Sequence, residues 1–335
     1  MTMKDRIQTG FKAVAVFAVA VGLVATSLSS SAFAQSAANT LKVTPVRTDV
    51  QVNPGETKIV ETTVSNLTGA PITVRPSAND FVAGDESGTP SLILDENQYA
   101  PSHSLKRFMQ PLADITIPAN SAVTVNVTIT VPADATAGGY FGAVRFSPTA
   151  PDGGGQVNLS ASVASIILMT VPGDVVEKLQ MTDFNVQQNG RTNSIFFNDN
   201  AFELTTRFTS QSSVQLGPTG KISVKKGDKV VYETDFNNQQ PQDVILPDSA
   251  RRWNIPLDKI EGFGHYSVVA TFSYGQSNQN IEATTSFWVI PWYVIAIAGA
   301  ILLVIIAAVV VALLIIRNKR RRNARPSSSQ SGLRL

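Results

Sequence analysis

Residues 294–316 run for 23 positions without a charged side chain, with only Gly299 and alanines among the larger apolar residues. In lipid only a helix closes all the backbone hydrogen bonds of one such segment internally. At 1.5 Å per residue the run reaches about 34 Å, enough to cross a hydrocarbon core of ~30 Å with some tilt. Trp288, Trp292 and Tyr293 precede it, where amphipathic rings favour the headgroup layer, and Arg317, Lys319, Arg320, Arg321, Arg322 and Arg325 follow it. That basic flank argues against a buried core helix and puts the C-terminus on the cytoplasmic side. We therefore expect a single membrane helix at 291–316 and a basic cytoplasmic tail at 317–335, with the lipid bilayer as partner. Ala296/Ala300 and Ala308/Ala312 are small-residue pairs at helix spacing, a pattern that also arises by chance.

The opposite end carries Lys4, Arg6 and Lys12, then an apolar stretch over 13–25, then a Ser-rich segment ending Ala32-Phe33-Ala34-Gln35. That is the layout of a secretory signal peptide with cleavage after Ala34, so 1–34 is expected to be removed and Gln35 to lead the mature chain. The alternative is an uncleaved anchor, for which about 13 apolar residues fall short of the ~20 that span a bilayer.

The formal net charge of +2 describes no part of the chain. Residues 35–290 hold 17 basic against 24 acidic side chains, while the tail has seven Lys/Arg and no acid. The positive tail follows from orientation and anionic inner-leaflet lipid, so no nucleic-acid partner is expected. The absence of cysteine excludes disulfides, thiolate metal sites and cysteine nucleophiles. Two histidines, His103 and His265, leave little for histidine-based chemistry.

Between the ends the hydrophobic period is 2. Val123, Val125, Val127, Ile129 and Val131 alternate with Thr124, Asn126, Thr128 and Thr130, one apolar face against one largely hydroxylic face. Further strands are expected at 58–64, 72–74, 140–146, 157–169, 202–208, 222–224, 230–232 and 266–274. Turn signals such as Asn53-Pro54-Gly55 and Lys226-Gly227-Asp228 separate them. Short strands with turns every 8–12 residues mean sandwiches of about 100 residues. The predicted fold class is all-β: two tandem Ig-like antiparallel sandwiches, 35–175 and 176–290, plus the C-terminal membrane helix. The glycine run Gly153-Gly154-Gly155 reads as a loop between the last two strands of the first sandwich. Phe202, Leu204, Phe208, Val268, Phe272 and Tyr274 are the expected core of the second, with Trp253 either joining it or displayed as a ligand platform.

No catalytic constellation emerges. Gly262-Phe263-Gly264 resembles the start of a dinucleotide loop, but a strand follows it rather than a helix. The chain has no G-x-S-x-G, Walker A or H-E-x-x-H pattern. Asp80, Asp85 and Glu86 could surround Ca²⁺ in a loop, although solvated loop acids are the simpler reading. Leu246-Pro247-Asp248-Ser249-Ala250 looks like a sorting pentapeptide but lies inside the second sandwich, far ahead of the apolar run. No cofactor and no metal are expected. The segment 97–108 gathers Tyr99, His103, Lys106, Arg107 and Phe108, where a sugar or acidic polymer would stack on an aromatic ring and pair with the bases. An inter-sheet crossover is the plainer reading.

Order of features and several motifs resemble the WxL-interacting proteins of Gram-positive surfaces. The residues are Val52-Asn53-Pro54-Gly55-Glu56-Thr57, Val64-Ser65-Asn66, Val131-Pro132-Ala133-Asp134 and Gly138-Gly139-Tyr140-Phe141-Gly142. The resemblance implies two Ig-like domains, the first binding peptidoglycan and the second host or partner proteins, with no catalytic residues. The chain has no Trp-x-Leu motif, as suits an interacting partner. The expected function is a non-enzymatic, membrane-anchored surface protein that binds cell-wall polymer and other surface proteins. The alternative is a chaperone-like subunit that assembles secreted proteins by strand complementation, and a wall-modifying enzyme ranks third.

Overall fold

In the computed structural model, residues 40–149, 161–198 and 201–323 are described. The signal segment with Ala32, Ala34 and Gln35, the glycine run at 153–155 and the end of the tail with Arg325 lie outside them. The described chain is mostly β-strand in several sheets, with one C-terminal helix and no closed barrel.

The first nine strands are β1 (Leu41–Thr44), β2 (Arg47–Gln51), β3 (Thr57–Asn66), β4 (Ile72–Ala83), β5 (Pro90–Leu92), β6 (Ile115–Ile117), β7 (Ala122–Thr130), β8 (Gly138–Pro148) and β9 (Val163–Val171). They form a three-stranded sheet, β1-β3-β7, facing a six-stranded one, β2-β9-β8-β4-β5, with β6 also on β4. Along β7 the alternation does what it predicts: Val125, Val127 and Ile129 are buried, while Thr124 faces outward and meets Thr63 of β3 at 3.1 Å. Between the sheets Val60, Val64, Val74, Val127, Ile129, Phe146, Ile167 and Met169 form one core.

Strand β8 is buried on both faces. Phe141 and Ala143, with Phe81 of β4 and Leu168 of β9, make a second apolar cluster on the outer face of the six-stranded sheet, against Val244 and Leu246 from the second half of the chain. Because that face is covered, β8 and β9 read as nearly continuous apolar runs rather than alternating ones.

The second set comprises β10 (Leu179–Gln188), β11 (Arg191–Thr192), β12 (Ile195–Phe196), β13 (Phe202–Ser210), β14 (Thr219–Lys226), β15 (Lys229–Phe236), β16 (Ala250–Leu257), β17 (Gly264–Tyr274) and β18 (Gln279–Val289). Sheets β11-β10-β13-β16 and β12-β18-β17-β14-β15 enclose a core that contains all six expected residues. Phe208 sits among the rings of Phe236, Trp253 and Phe272 at 6.3, 5.9 and 5.2 Å. Trp253 thus serves the core, while its indole N–H reaches Asp243 at 3.3 Å. After Gly264 the chain continues as β17, which removes any dinucleotide geometry from that glycine pair.

Helix α1 (Trp292–Asn323) follows β18 after two residues. Beyond its first turn it is exposed along its length, and it is long and apolar enough to cross a membrane. Trp288 closes β18 while Trp292 and Tyr293 open the helix; Arg317, Lys319 and Arg320 occupy its far end.

Candidate functional site

The chain between β5 and β6 does not cross from sheet to sheet. Both strands pair with β4, and the intervening segment straps the open side of the first sandwich. It touches the other sheet at Met109, which bridges Ile129 of β7, and Gln110 N–H donates to Thr128 O at 3.0 Å. Leu105 is its apolar plug, fully buried.

One carboxylate holds the strap. Asp80 on β4 is fully buried, and its Oδ2 accepts the Ala100 N–H at 2.9 Å and the Ser104 hydroxyl at 2.5 Å. Its Oδ1 accepts the Lys106 N–H at 2.8 Å. Three donors replace the water a buried carboxylate gives up. Asp80 is therefore no solvated loop acid.

The strap sorts the five expected ligand contacts into three roles. Tyr99, exposed, has the Lys106 Nζ and the Arg107 guanidinium each about 5 Å from its ring centre, 5.1 and 5.0 Å. Lys106 also donates to the Glu96 and Gln98 carbonyls at 2.7 and 3.1 Å, so its charge caps the strap's own backbone. Phe108 turns inward, half-buried, with its ring 4.9 Å from that of Tyr140. His103 lies apart from the other four. Its φ of +60° is uncommon for a non-glycine residue, and its carbonyl accepts the Phe141 N–H at 2.8 Å. Its Nδ1 is 2.6 Å from the Gly139 carbonyl; since a carbonyl only accepts, Nδ1 carries a proton and donates there.

His103 borders a cleft of about 410 Å³ between the sandwiches, lined also by Phe81, Phe141, Ser102, Leu246 and Ser249. A smaller recess of about 180 Å³ adjoins it beside Arg47, Asp243 and Arg251. The hairpin between β4 and β5 clamps the two halves. Glu86 accepts Arg207 Nε at 2.8 Å and Arg252 Nε at 3.0 Å, and its carbonyl accepts the Arg252 N–H at 2.7 Å. Arg252 extends to Asp183 at 2.9 Å. Arg207 first, and Arg252 after it, hold the Glu86 carboxyl below its usual range. Asp85 turns away and accepts from Ser87 at 2.6 Å. Asp80, Asp85 and Glu86 thus have separate partners and form no calcium cage. Among the described residues no group of three or more His, Cys, Asp or Glu is arranged to hold a metal.

Glycines let these parts approach. A Cβ on Gly142 would lie 3.0 Å from Leu105 Cβ, and one on Gly139 would lie 2.6 Å from the Phe141 ring. Gly139 N–H donates across the junction to Ser213 O at 2.8 Å. The chemistry assembled here is that of binding: aromatic rings, hydroxyls, one imidazole and an exposed guanidinium. The sequence reading took Asp80 and Glu86 for loop acids and missed what each holds: the strap and the junction. The one available signal was an acid, Asp80, placed mid-strand just before Phe81.

The fold defines a β-sandwich protein with one helix long and apolar enough to cross a membrane. Residues 48–148, which contain the strap, match the family described as WxL Interacting Protein, peptidoglycan binding domain. Over those residues the chain is similar to the WxL-interacting proteins, which supports a cell-surface binding role. No curated protein sequence matches the chain. Among solved structures, similarity extends to a chaperone–tip adhesin complex of CFA/I fimbriae biogenesis (10% identity, 75% of this chain and 99% of that one, TM-score 0.36). The class 5 fimbriae chaperone CfaA (10%, 74% and 98%, 0.37) and the Pseudomonas aeruginosa CupB2 chaperone (9%, 73% and 99%, 0.32) are similar at the same level. At these scores the likeness bears on neither partner nor mechanism.

Proposed function

We propose that this is a non-enzymatic, membrane-anchored surface protein that binds cell-wall polymer through a first domain at 35–175 and meets other surface proteins through a second at 176–290. The observation that carries this reading is the peptidoglycan-binding family match over 48–148, with the strap inside it. Helix α1 crosses the membrane with the basic tail inside and the sandwiches outside, delivered there by the 1–34 signal. The outer part is acidic, so binding depends on local contacts rather than bulk attraction. Tyr99 and Arg107 offer the ring and the exposed cation, and His103 an imidazole at the cleft. Lys106 and Phe108 support the strap from within.

Titration of soluble peptidoglycan fragments against the detergent-solubilised full chain tests this. Tyr99→Ala and Arg107→Ala should each weaken binding severalfold, about 1 kcal/mol for an exposed contact of this kind. Fragment binding unchanged in both variants would remove the strap from the site while leaving the domain assignment standing. Release of muropeptides by the purified chain would instead indicate an enzyme.

A further inference from the structure

Three large apolar side chains left exposed on the second sandwich lie together at the end where the chain enters α1. Ile195, Phe263 and Trp288 are 47%, 49% and 43% exposed. Strand register sets Ile195 beside Trp288 and Trp288 beside His265, one row across the outer face of the five-stranded sheet. The Trp288 ring lies 5.0 Å from His265 and 6.0 Å from Phe263. Contiguous exposed apolar surface of this kind marks an interaction site.

Two contacts fix its height relative to the helix. A Cβ on Gly262 would lie 3.6 Å from the Tyr293 hydroxyl, so the Phe263 loop stands beside the first turn of α1. Lys226 Nζ reaches the Glu261 carbonyl at 3.5 Å, which brings the tip of the β14–β15 hairpin, with Lys225, Lys226 and Lys229, to the same end. Trp292 and Tyr293 head a helix of membrane-spanning length, and such rings sit in the headgroup layer. Phe263 and Trp288 share their level.

We propose that this end of the second sandwich is a membrane foot, docked on the outer headgroup layer of the bilayer that α1 enters. The inference rests on the reading that α1 crosses the membrane. Phe263, Trp288 and Ile195 insert, as on an interfacial amphipathic surface, and the lysines sit beside lipid phosphates. Asp228, Asp258 and Glu261 share this end, so apolar insertion dominates and docking persists at high salt. The connection is short: Ile290 N–H donates to Phe196 O at 2.8 Å, leaving no slack before Trp292. The foot therefore gives the ectodomain a fixed attitude, with the first sandwich carried at the far end of the second.

The cysteine-free chain suits site-directed spin labelling. Nitroxides at Glu261→Cys in the foot, Asn238→Cys at the far end of the same sandwich and Val304→Cys within α1 are read in the full chain. The protein is reconstituted in vesicles of phosphatidylcholine and phosphatidylglycerol. The ratio of collisions with oxygen to collisions with a water-soluble nickel chelate reports depth. Position 304 should lie in lipid, and 261 should show a ratio severalfold above 238. Phe263→Asp should return 261 to the value at 238 with the circular dichroism unchanged. A ratio at 261 equal to that at 238, with 304 in lipid, overturns the foot alone. An aqueous 304 overturns the membrane reading and the foot with it. Dipolar broadening between labels at 261 would mean that a second copy covers the patch, which also overturns the proposal.

Discussion

Asp80 shows how one side chain organises a long irregular segment. Its carboxylate gathers donors from Ala100, Ser104 and Lys106, so some seven residues of backbone take their path from a single point on β4. Asp80→Ala leaves those donors buried without acceptors and should cost about 2–4 kcal/mol, at the high end for one residue. Chemical denaturation measures the loss, and limited proteolysis should show new cuts within 95–108. At Gly142 the constraint is space. Gly142→Ala brings a methyl to 3.0 Å from Leu105 Cβ and should destabilise by about 1–3 kcal/mol through the displaced plug. In the second core, Phe208→Ala removes the ring that three aromatic neighbours share and should cost about 3–5 kcal/mol in the same assay.

The β4–β5 hairpin works as a clamp because Glu86 takes two guanidinium partners from two strands of the other sandwich. Its folded-state pKa is depressed, so its contribution is present above the unfolded value near 4.5 and is lost as pH falls through the lower folded value. The carboxylate is more than a third exposed, and screening keeps each pair below about 1 kcal/mol. Glu86→Gln should thus hardly move overall stability. It should broaden the distance distribution between spin labels placed on the two sandwiches, as should acidification below the folded pKa in the wild type. An unchanged, narrow distribution in both conditions would show that the apolar contact of Val244 and Leu246 with Phe81 and Phe141 suffices to hold the junction.

Strands were legible where one face is buried and the period is clean, as in β7, β13 and β17. Strand β10 was not, because a bulge between Met181 and Asp183 breaks its alternation. Strand β16 carries Arg251, Arg252 and Pro256 on a sheet edge, and β18 reads Thr284-Thr285-Ser286 between Ile281 and its apolar end. Strand β4 extends past the expected 72–74 to Ala83 through Asn79 and Asp80, polar residues whose burial depends on the strap. The Tyr99–Lys106–Arg107 cluster was legible because its members are close in sequence. The clamp was invisible because Glu86 meets residues 121 and 166 positions away.

At the scale of the whole molecule, the described residues form a stack with one covered junction between its two sandwiches. One end of the second sandwich supports the first through Gly139–Ser213 and the Glu86 clamp; the other feeds into α1. In the proposed orientation, the split between acidic sandwiches and a positive tail keeps nonspecific attraction to anionic polymer low. Wall binding by the first sandwich is the claim on which the rest depends. The most direct test is sedimentation of the detergent-solubilised full chain with purified, protein-free peptidoglycan across a range of salt and pH. We predict that the chain pellets with the polymer at high as well as low salt, and that Asp80→Ala, which releases the strap, leaves most of it in solution. A wild-type chain that stays in the supernatant under every condition would contradict the account.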